Sequence, residues 1–224
     1  MTTASSDRPR KTPVKLRIAS MMVLVLLAAG CSRRGNLEAG GIYTIRSACP
    51  QVAIPAATGD ITLFDPAGSS DASAIDIEAA ITNVRANCQE TGSEIVSVAS
   101  FDVVASRRDP SQPRQVVLPI FDVVVQGGDR VVAKRVGAVA IDFPAGSIRG
   151  QSRGQATARI SRAAATLPEN VRELITRRRK VGDPDAAIDP MADPVVREAV
   201  ASATFQHLVG FQLTPDQLRY NATR

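Results

Sequence analysis

The sequence predicts a mostly β protein: an antiparallel, immunoglobulin-like β-sandwich with short helices near its C-terminus. Two observations support this fold class. Runs of β-branched and aliphatic residues are separated by turn-forming Gly, Pro, Asn and Asp, roughly every 10 to 15 residues, which is typical of short strands joined by turns. The runs do not alternate regularly with helical segments, as they would in a protein built on a parallel sheet.

The clearest pair of strands flanks Gly127-Gly128-Asp129. These residues tolerate the positive φ angles of tight turns, so 115–126 and 130–143 should form a hairpin. Pro119 lies inside the first strand, and because proline cannot donate to a β-ladder we expect an edge or a bulge there. Further strands are predicted at 51–54, 60–64, 75–88, 94–106, 155–166 and 205–213.

The C-terminal third mixes helices with a loop. Residues 168–180 have helical apolar periodicity, and Asp193-Pro194 matches a helix start. Residues 182–194 are rich in proline and aspartate, which favours a loop. Thr214-Pro215-Asp216-Gln217 is a capping box that predicts a last short helix.

Residues 1–30 have the order of a bacterial export signal. A basic region precedes an apolar core of about 12 residues, whereas a spanning helix needs about 20. The core ends in Leu27-Ala28-Ala29-Gly30-Cys31. This resembles the lipobox of bacterial lipoproteins, except that Ala28 stands where leucine is commonest. We therefore predict cleavage before Cys31 and lipidation of its thiol; the alternative is an ordinary signal cleaved nearby.

A lipidated Cys31 implies a location in the cell envelope. Lipoproteins of this type carry several acyl chains, palmitate among them, and two or more chains anchor a protein stably. Ser32 follows the cysteine, and in such lipoproteins the lack of aspartate there favours transfer to the outer membrane. We expect residues 31–41 to form a lipidated tether. Residues 42–224 should form one domain facing the periplasm, with a helical and loop insertion at about 168–203.

The charge balance changes once the signal is removed. The whole chain has 27 basic and 22 acidic residues. Residues 1–30 hold five of the basic ones and one acidic one, which leaves 22 against 21. This balance gives no case for a nucleic-acid partner.

The remaining cysteines, Cys49 and Cys88, would lie in an oxidising compartment. We expect them to form a disulfide, which would stabilise the fold by roughly 4 kcal/mol by closing a loop of about 39 residues. Two cysteines and one histidine do not make a recognisable zinc spacing, so a metal site is the weaker alternative.

No set of residues indicates a reaction. A Ser-His-Asp or Cys-His site would need His207, the single histidine. This residue lies in a predicted strand, and we interpret it as a partly exposed strand residue. Asp102 and Asp122 each follow a phenylalanine, which is ordinary strand alternation and not an acid–base pair. We predict a protein that is not an enzyme and uses no cofactor or metal.

One candidate partner surface lies close to the tether. Gln51, Val52 and Ile54 form a short extended segment between two prolines. Such a segment could add a strand to a partner's sheet. The alternative is an edge strand without a partner.

A second candidate surface is the run Arg177, Arg178, Arg179 and Lys180. It could contact anionic lipid headgroups, lipopolysaccharide or an acidic partner. The alternative is a solvated helix end, where cations complement the helix dipole.

Several short motifs are distributed along the chain after Cys31. They are Ala48-Cys49-Pro50-Gln51-Val52, Ile81-Thr82-Asn83-Val84 with Cys88, Leu118-Pro119-Ile120-Phe121, Lys134, Phe143-Pro144, Gly210-Phe211-Gln212-Leu213-Thr214, Gln217-Leu218 and Tyr220-Asn221. Together they resemble the motifs of uncharacterised alphaproteobacterial outer-membrane lipoproteins. The resemblance covers most of the chain after Cys31 and is strongest around the two later cysteines and at the C-terminus. Within this group the Cys-Pro segment is similar to that of the accessory lipoprotein of the β-barrel assembly machinery.

The resemblance implies a non-enzymatic outer-membrane lipoprotein that binds protein partners, as an accessory factor in outer-membrane protein assembly. The arginine-rich segment and the loop after it depart from that pattern and are expected to be an insertion. A lipoprotein that binds lipid or envelope glycan is the alternative, supported by the basic run alone.

Overall fold

The computed structural model describes residues 47–177, 179, 182–185 and 187–223. Residues 1–46, which include Cys31, lie outside this range. The strands are β1 (Gln51–Ala53), β2 (Asp60–Phe64), β3 (Ile75–Thr91), β4 (Glu94–Arg107), β5 (Arg114–Gln126), β6 (Arg130–Phe143), β7 (Arg149–Ser161) and β8 (Phe205–Phe211). The helices are α1 (Arg162–Ala165), α2 (Glu169–Thr176), α3 (Pro194–Ser202) and α4 (Pro215–Thr223), with single 3₁₀ turns at Ala72–Ala74 and Pro190–Ala192.

The strands form two four-stranded sheets. Sheet A has the order β1-β8-β5-β6, and sheet B has the order β2-β3-β4-β7. Neighbouring strands are antiparallel except β1, which runs parallel to β8. The prediction of a mostly β chain with a few short helices is therefore confirmed.

The main hydrophobic core takes side chains from both sheets. Alternate residues of β4 point inward, Phe101 and Val103 among them, and they pack with Leu118 of β5 and Ile141 of β6. A smaller cluster around Ile95 and Phe205 continues the core at one end of the sheets. One face of each sheet is thus buried, and the opposite face is its outer face.

The β5–β6 hairpin is confirmed, including its Gly127-Gly128-Asp129 turn, where both glycines have positive φ angles. Pro119 needs neither a bulge nor an edge strand. β5 lies between β8 and β6, but its pairing with β8 stops at Ile120. The backbone nitrogen of Pro119 points to that side. There the segment after β8 supplies a hydrogen-bond donor, Gln212 N, which bonds to Pro119 O at 2.9 Å.

The prediction of a strand at 155–166 is wrong at both ends. β7 begins at Arg149 and pairs with β4 along its whole length, and the residues after Ser161 form α1. Inward positions in the first half of β7 are small: a Cβ atom at Gly154 would lie 2.2 Å from the Phe101 ring, and one at Gly150 would lie 2.7 Å from Ile141 Cγ2. These glycines weaken the strand pattern in the sequence.

Arg107 closes the end of the core opposite the smaller cluster. Its side chain is buried, and its guanidinium lies 5.2 Å from the centre of the Phe143 ring. It donates to four backbone carbonyls: Ser147 O at 2.9 Å, Gln112 O at 2.6 Å, Pro144 O at 2.8 Å and Pro110 O at 3.3 Å. Arg107 therefore joins the loop after β4 to the loop after β6.

The connection from β7 to β8 carries α1, α2 and α3. Asp193 caps α3 by accepting a hydrogen bond from Val195 N at 2.8 Å. Across the described residues, no helix combines the length and the hydropathy that a membrane span requires.

Candidate functional site

A contiguous apolar surface lies on the outer face of sheet A, across β5 and β6. Residues paired in register share a face, and the pairs here are Val117 with Ala140, Pro119 with Ala138, and Phe121 with Val136. We call these six residues the apolar patch. Val117 and Val136 are 58% and 60% exposed, and the other members are exposed except Phe121, which is half-buried.

Local structure explains how these side chains reach the surface. Val116, Leu118 and Ile120 alternate with them and fill the core, so β5 is apolar on both faces. The Phe121 ring lies over Gly210 of β8, where a Cβ atom would come within 2.9 Å of ring carbons. A large apolar side chain can therefore lie flat there, because β8 has no side chain at that point.

Polar groups bound the apolar patch at both ends. Lys134 Nζ lies 5.5 Å from the centre of the Phe121 ring, close enough for a cation–π contact. At the other end Gln115 Nε2 donates to Asp142 Oδ1 at 2.7 Å. An apolar surface with a polar rim is typical of a protein-binding site.

The strands on this side of the domain are strongly basic. β6 is one edge strand of sheet A, and β7 is one edge strand of sheet B. Together they carry six basic residues and one acidic residue. Three of the basic side chains pair with acids on neighbouring strands: Arg135 with Asp122, Arg153 with Asp102, and Arg159 with Glu94. The other three are Arg130, Lys134 and Arg149.

A second surface feature is an open groove of about 980 Å³ on the outer face of sheet B. Its lining crosses all four strands of the sheet and includes Glu78, Ala80, Ser106, Arg149 and Gln151. Charged side chains of both signs, Glu78 and Arg149, lie in this lining beside the small side chains of Ala80 and Ser106. The groove could therefore hold a polar ligand.

His207 is wholly buried, so its interpretation as a partly exposed residue is wrong. β8 is an interior strand of sheet A, and its odd-numbered residues face the core. His207 Nδ1 lies 3.1 Å from Ser97 Oγ of β4, also buried, so a hydrogen bond joins the two sheets. Within the described residues, His207 Nε2 has no hydrogen-bond partner.

The surroundings of His207 favour its neutral form. Burial lowers its pKa below the ordinary value; the nearby Asp122 carboxylate opposes this shift and Arg135 adds to it. Ser97 is also closed to solvent. The pair holds the two sheets together in the core, out of reach of a substrate.

The disulfide between Cys49 and Cys88 is confirmed, with a Cα–Cα distance of 6.0 Å. It ties the segment before β1 to β3 beside the smaller core cluster. Of the predicted tether-proximal surface, Gln51 is exposed. Val52 and Ile54 are half-buried and pack against the main core. β1 lies at the free edge of sheet A opposite β6, but it offers a partner few side chains.

The arginine-rich run is partly tied to its own loop. Arg177 and Arg179 both pair with Asp185, and Arg179 also donates to Leu174 O at 3.1 Å. Arg178 and Lys180 lie outside the described residues. The two described arginines are therefore already engaged by an acid close in sequence.

The sequence contains one sign of the apolar patch that the strand analysis left unused. Residues 116–121 are apolar at every position, and such a run indicates a strand with two apolar faces. The matching residues of β6 could not be identified without the pairing register. Within the described residues, no cluster of three or more His, Cys, Asp or Glu side chains could hold a metal ion.

Comparison of the chain with models of protein families, with characterised proteins and with solved structures gave no match.

Proposed function

We propose that the protein is a non-enzymatic lipoprotein of the outer membrane, facing the periplasm, that binds protein partners through the apolar patch. The observation that carries this proposal is a row of six adjacent apolar side chains on the outer face of β5 and β6, of which five are exposed and Phe121 is half-buried. Exposed apolar surface is unfavourable in water unless a partner covers it. A protein surface is the commonest cover for a patch of this kind.

The lipid anchor is the second part of the proposal, and it rests on the sequence around Cys31. Seventeen residues, 32–48, separate Cys31 from Cys49. Fully extended, they would reach about 60 Å. Because the disulfide fixes Cys49 to β3, the length of residues 32–48 sets how far the domain can move from the membrane.

A role as an accessory factor in outer-membrane protein assembly extends the proposal, and its support is the resemblance of the Cys-Pro segment. The immunoglobulin-like description belongs here as well. Two mostly antiparallel sheets packed face to face support it. The connections differ from the usual immunoglobulin order, since β5 and β6 are adjacent in sheet A and β8 returns to the other side of β5.

The groove on sheet B favours the alternative, a lipoprotein that binds envelope glycan or a lipid headgroup. Its lining offers carboxylate, guanidinium, amide and hydroxyl groups. The groove is the second candidate because it lacks the aromatic platform that sugar binding commonly uses.

Recovery of partners from detergent-solubilised membranes tests the two functions with matched variants. Val117→Asp with Val136→Asp adds two charges to the apolar patch. Gln151→Asp with Gln155→Asp adds two charges to an exposed strand of sheet B. We expect a protein in stoichiometric amount with the wild type and the sheet B variant, and its loss from the patch variant. Recovery that depends only on the sheet B residues, or recovery of lipid or glycan alone, would overturn the proposal.

A further inference from the structure

We propose that the free edge of β6, from Val136 to Ala140, takes an extended acidic segment of a partner protein as a fifth strand of sheet A. This inference rests on the proposed function, since it specifies how a protein partner binds beside the apolar patch. It adds a backbone contact, which exposed apolar side chains alone do not imply.

The direction of the β6 backbone follows from Pro119. Pro119 accepts a hydrogen bond from Gln212 N, so its backbone points away from β6. In an antiparallel ladder, a residue opposite such a position also points away from its partner strand. Ala138 is opposite Pro119, so its N–H and C=O groups point outward from the sheet. By alternation, Val136 and Ala140 also point outward. Asp142 lies beyond the open edge, because its carbonyl faces β7, where a Cβ atom at Gly150 would lie 3.1 Å from Asp142 O.

The outward N–H and C=O groups of β6 form an edge without the usual protection against pairing. Residues 136–141, Val-Gly-Ala-Val-Ala-Ile, contain neither a charge nor a proline, which are the usual means of blocking an edge strand. The side chains of Val136, Ala138 and Ala140 belong to the apolar patch. An added strand would therefore gain main-chain hydrogen bonds and cover part of the patch with its own side chains.

The other free edges are protected. β2 is covered by α4, where Asn221 Nδ2 donates to Asp60 O at 2.7 Å. β1 has three residues between Pro50 and Pro55. β7 carries Arg149, Arg153 and Arg159. The part of β3 that extends past β2 also has an unpaired edge. This edge is irregular, because the pairing of β3 with β4 shifts between Thr82 and Arg85 and Asn83 has a positive φ angle. The contrast singles out β6 as the edge open to pairing.

Charge selects the occupant. Three of the six basic residues of β6 and β7 pair with acids on neighbouring strands. The other three are Arg130, Lys134 and Arg149, against one acidic residue in these strands, and Lys134 and Arg149 flank the open edge. An acidic strand would be attracted, whereas a second copy of this chain would bring a second basic edge against the first. Hydrocarbon is the poorest occupant, because lipid cannot satisfy the outward N–H and C=O groups.

Hydrogen exchange at single-residue resolution tests strand addition on the mature lipidated chain in detergent. The probe is an alternating Glu-Val peptide of about ten residues, with the Lys-Val peptide as its charge control. In the free protein the amides of Val136, Ala138 and Ala140 should exchange fast, while those of Gly137, Val139 and Ile141 are protected by β5. The Glu-Val peptide should protect the fast set, and the Lys-Val peptide should not.

Matched variants separate the backbone contact from the side chains. Ala138→Pro removes an outward N–H without affecting the ladder to β5, and Gly137 before it can adopt the conformation that proline requires. Ala138→Thr keeps the N–H. We expect the proline variant to weaken binding of the Glu-Val peptide at least about tenfold, and the threonine variant to change it little. Ala140→Pro is the second variant if Ala138→Pro alters the thermal melting curve.

Each contrary outcome overturns the inference. Glu-Val binding weaker than about 1 mM, equal binding of the Lys-Val peptide, or binding that leaves the outward amides unprotected excludes an acidic fifth strand. Self-association in sedimentation that Ala138→Pro abolishes would make the edge a dimer contact. If partners are still lost from the Val117→Asp and Val136→Asp variant, the proposed function stands without strand addition.

Discussion

Replacing Arg107 by methionine should destabilise the domain by about 3 kcal/mol. Methionine keeps the apolar stem of the side chain near the Phe143 ring but removes every donor. Four carbonyls in two loops lose their shared partner. The loops between β4 and β5 and between β6 and β7 should then separate.

The magnitude follows from the contacts. Each hydrogen bond contributes about 1 kcal/mol net, and the cation–π contact adds about 0.5 to 1. Removing the buried charge returns part of this sum, because the guanidinium no longer has to leave water. Arg107→Lys keeps the charge on a group with three donors that cannot span four carbonyls. We expect it to lose about 2 kcal/mol.

Urea unfolding of the mature chain with Cys31→Ser gives the measurement, followed by circular dichroism at pH 7. Arg149→Met is the matched control, since Arg149 is exposed on β7 and should change stability by less than about 0.5 kcal/mol. Equal midpoints for Arg107→Met and Arg149→Met would refute the role of Arg107. So would full rescue by lysine.

Three further predictions concern the anchor, the disulfide and the buried histidine. Cys31→Ser should prevent acylation and release the protein from membranes, and a variant that still fractionates wholly with the outer membrane would show that the lipid is not the anchor. Cys49→Ser with Cys88→Ser should lower the free energy of unfolding by about 4 kcal/mol, and alkylation of both thiols in the native protein without reductant would contradict the bond. Burial lowers the pKa of His207, so its contribution to stability is complete above about pH 6.5 and decreases as the pH falls toward the folded-state pKa, by at most about 1.4 kcal/mol per pH unit. His207→Gln should flatten that pH dependence, and an unchanged profile would exclude His207 as its source.

Local sequence signals predicted most of the strands. The hairpin of β5 and β6 followed from its glycine turn, and the helix start at Asp193 from its capping chemistry. These features depend on residues close together in the chain. Tertiary context changed them little.

Features that depend on long-range pairing could not be predicted in the same way. β7 was placed too late because Gly150 and Gly154 fit against core side chains of other strands. His207 was expected to be partly exposed because the sequence does not show that β8 lies between β1 and β5. Its burial depends on that strand order.

In the candidate site, too, local features could be predicted from the sequence and features that depend on long-range pairing could not. The apolar run around Phe121 is visible in the sequence, but its extension onto β6 requires the register. The arginine-rich run was conspicuous in the sequence, whereas Asp185 binds its two described arginines. A run of basic residues indicates a binding surface only when acidic side chains of the same chain do not already pair with it.

Photo-crosslinking in intact cells from a residue analogue at Val136 tests the central claim most directly. Gln155, exposed on sheet B, and Gln51, at the opposite edge of sheet A, serve as controls, and Arg178 samples the arginine-rich run. We predict protein adducts from Val136 and none from Gln155. Protein adducts from Gln51 or Arg178 with none from Val136 would place the partner elsewhere and contradict the assignment of the apolar patch.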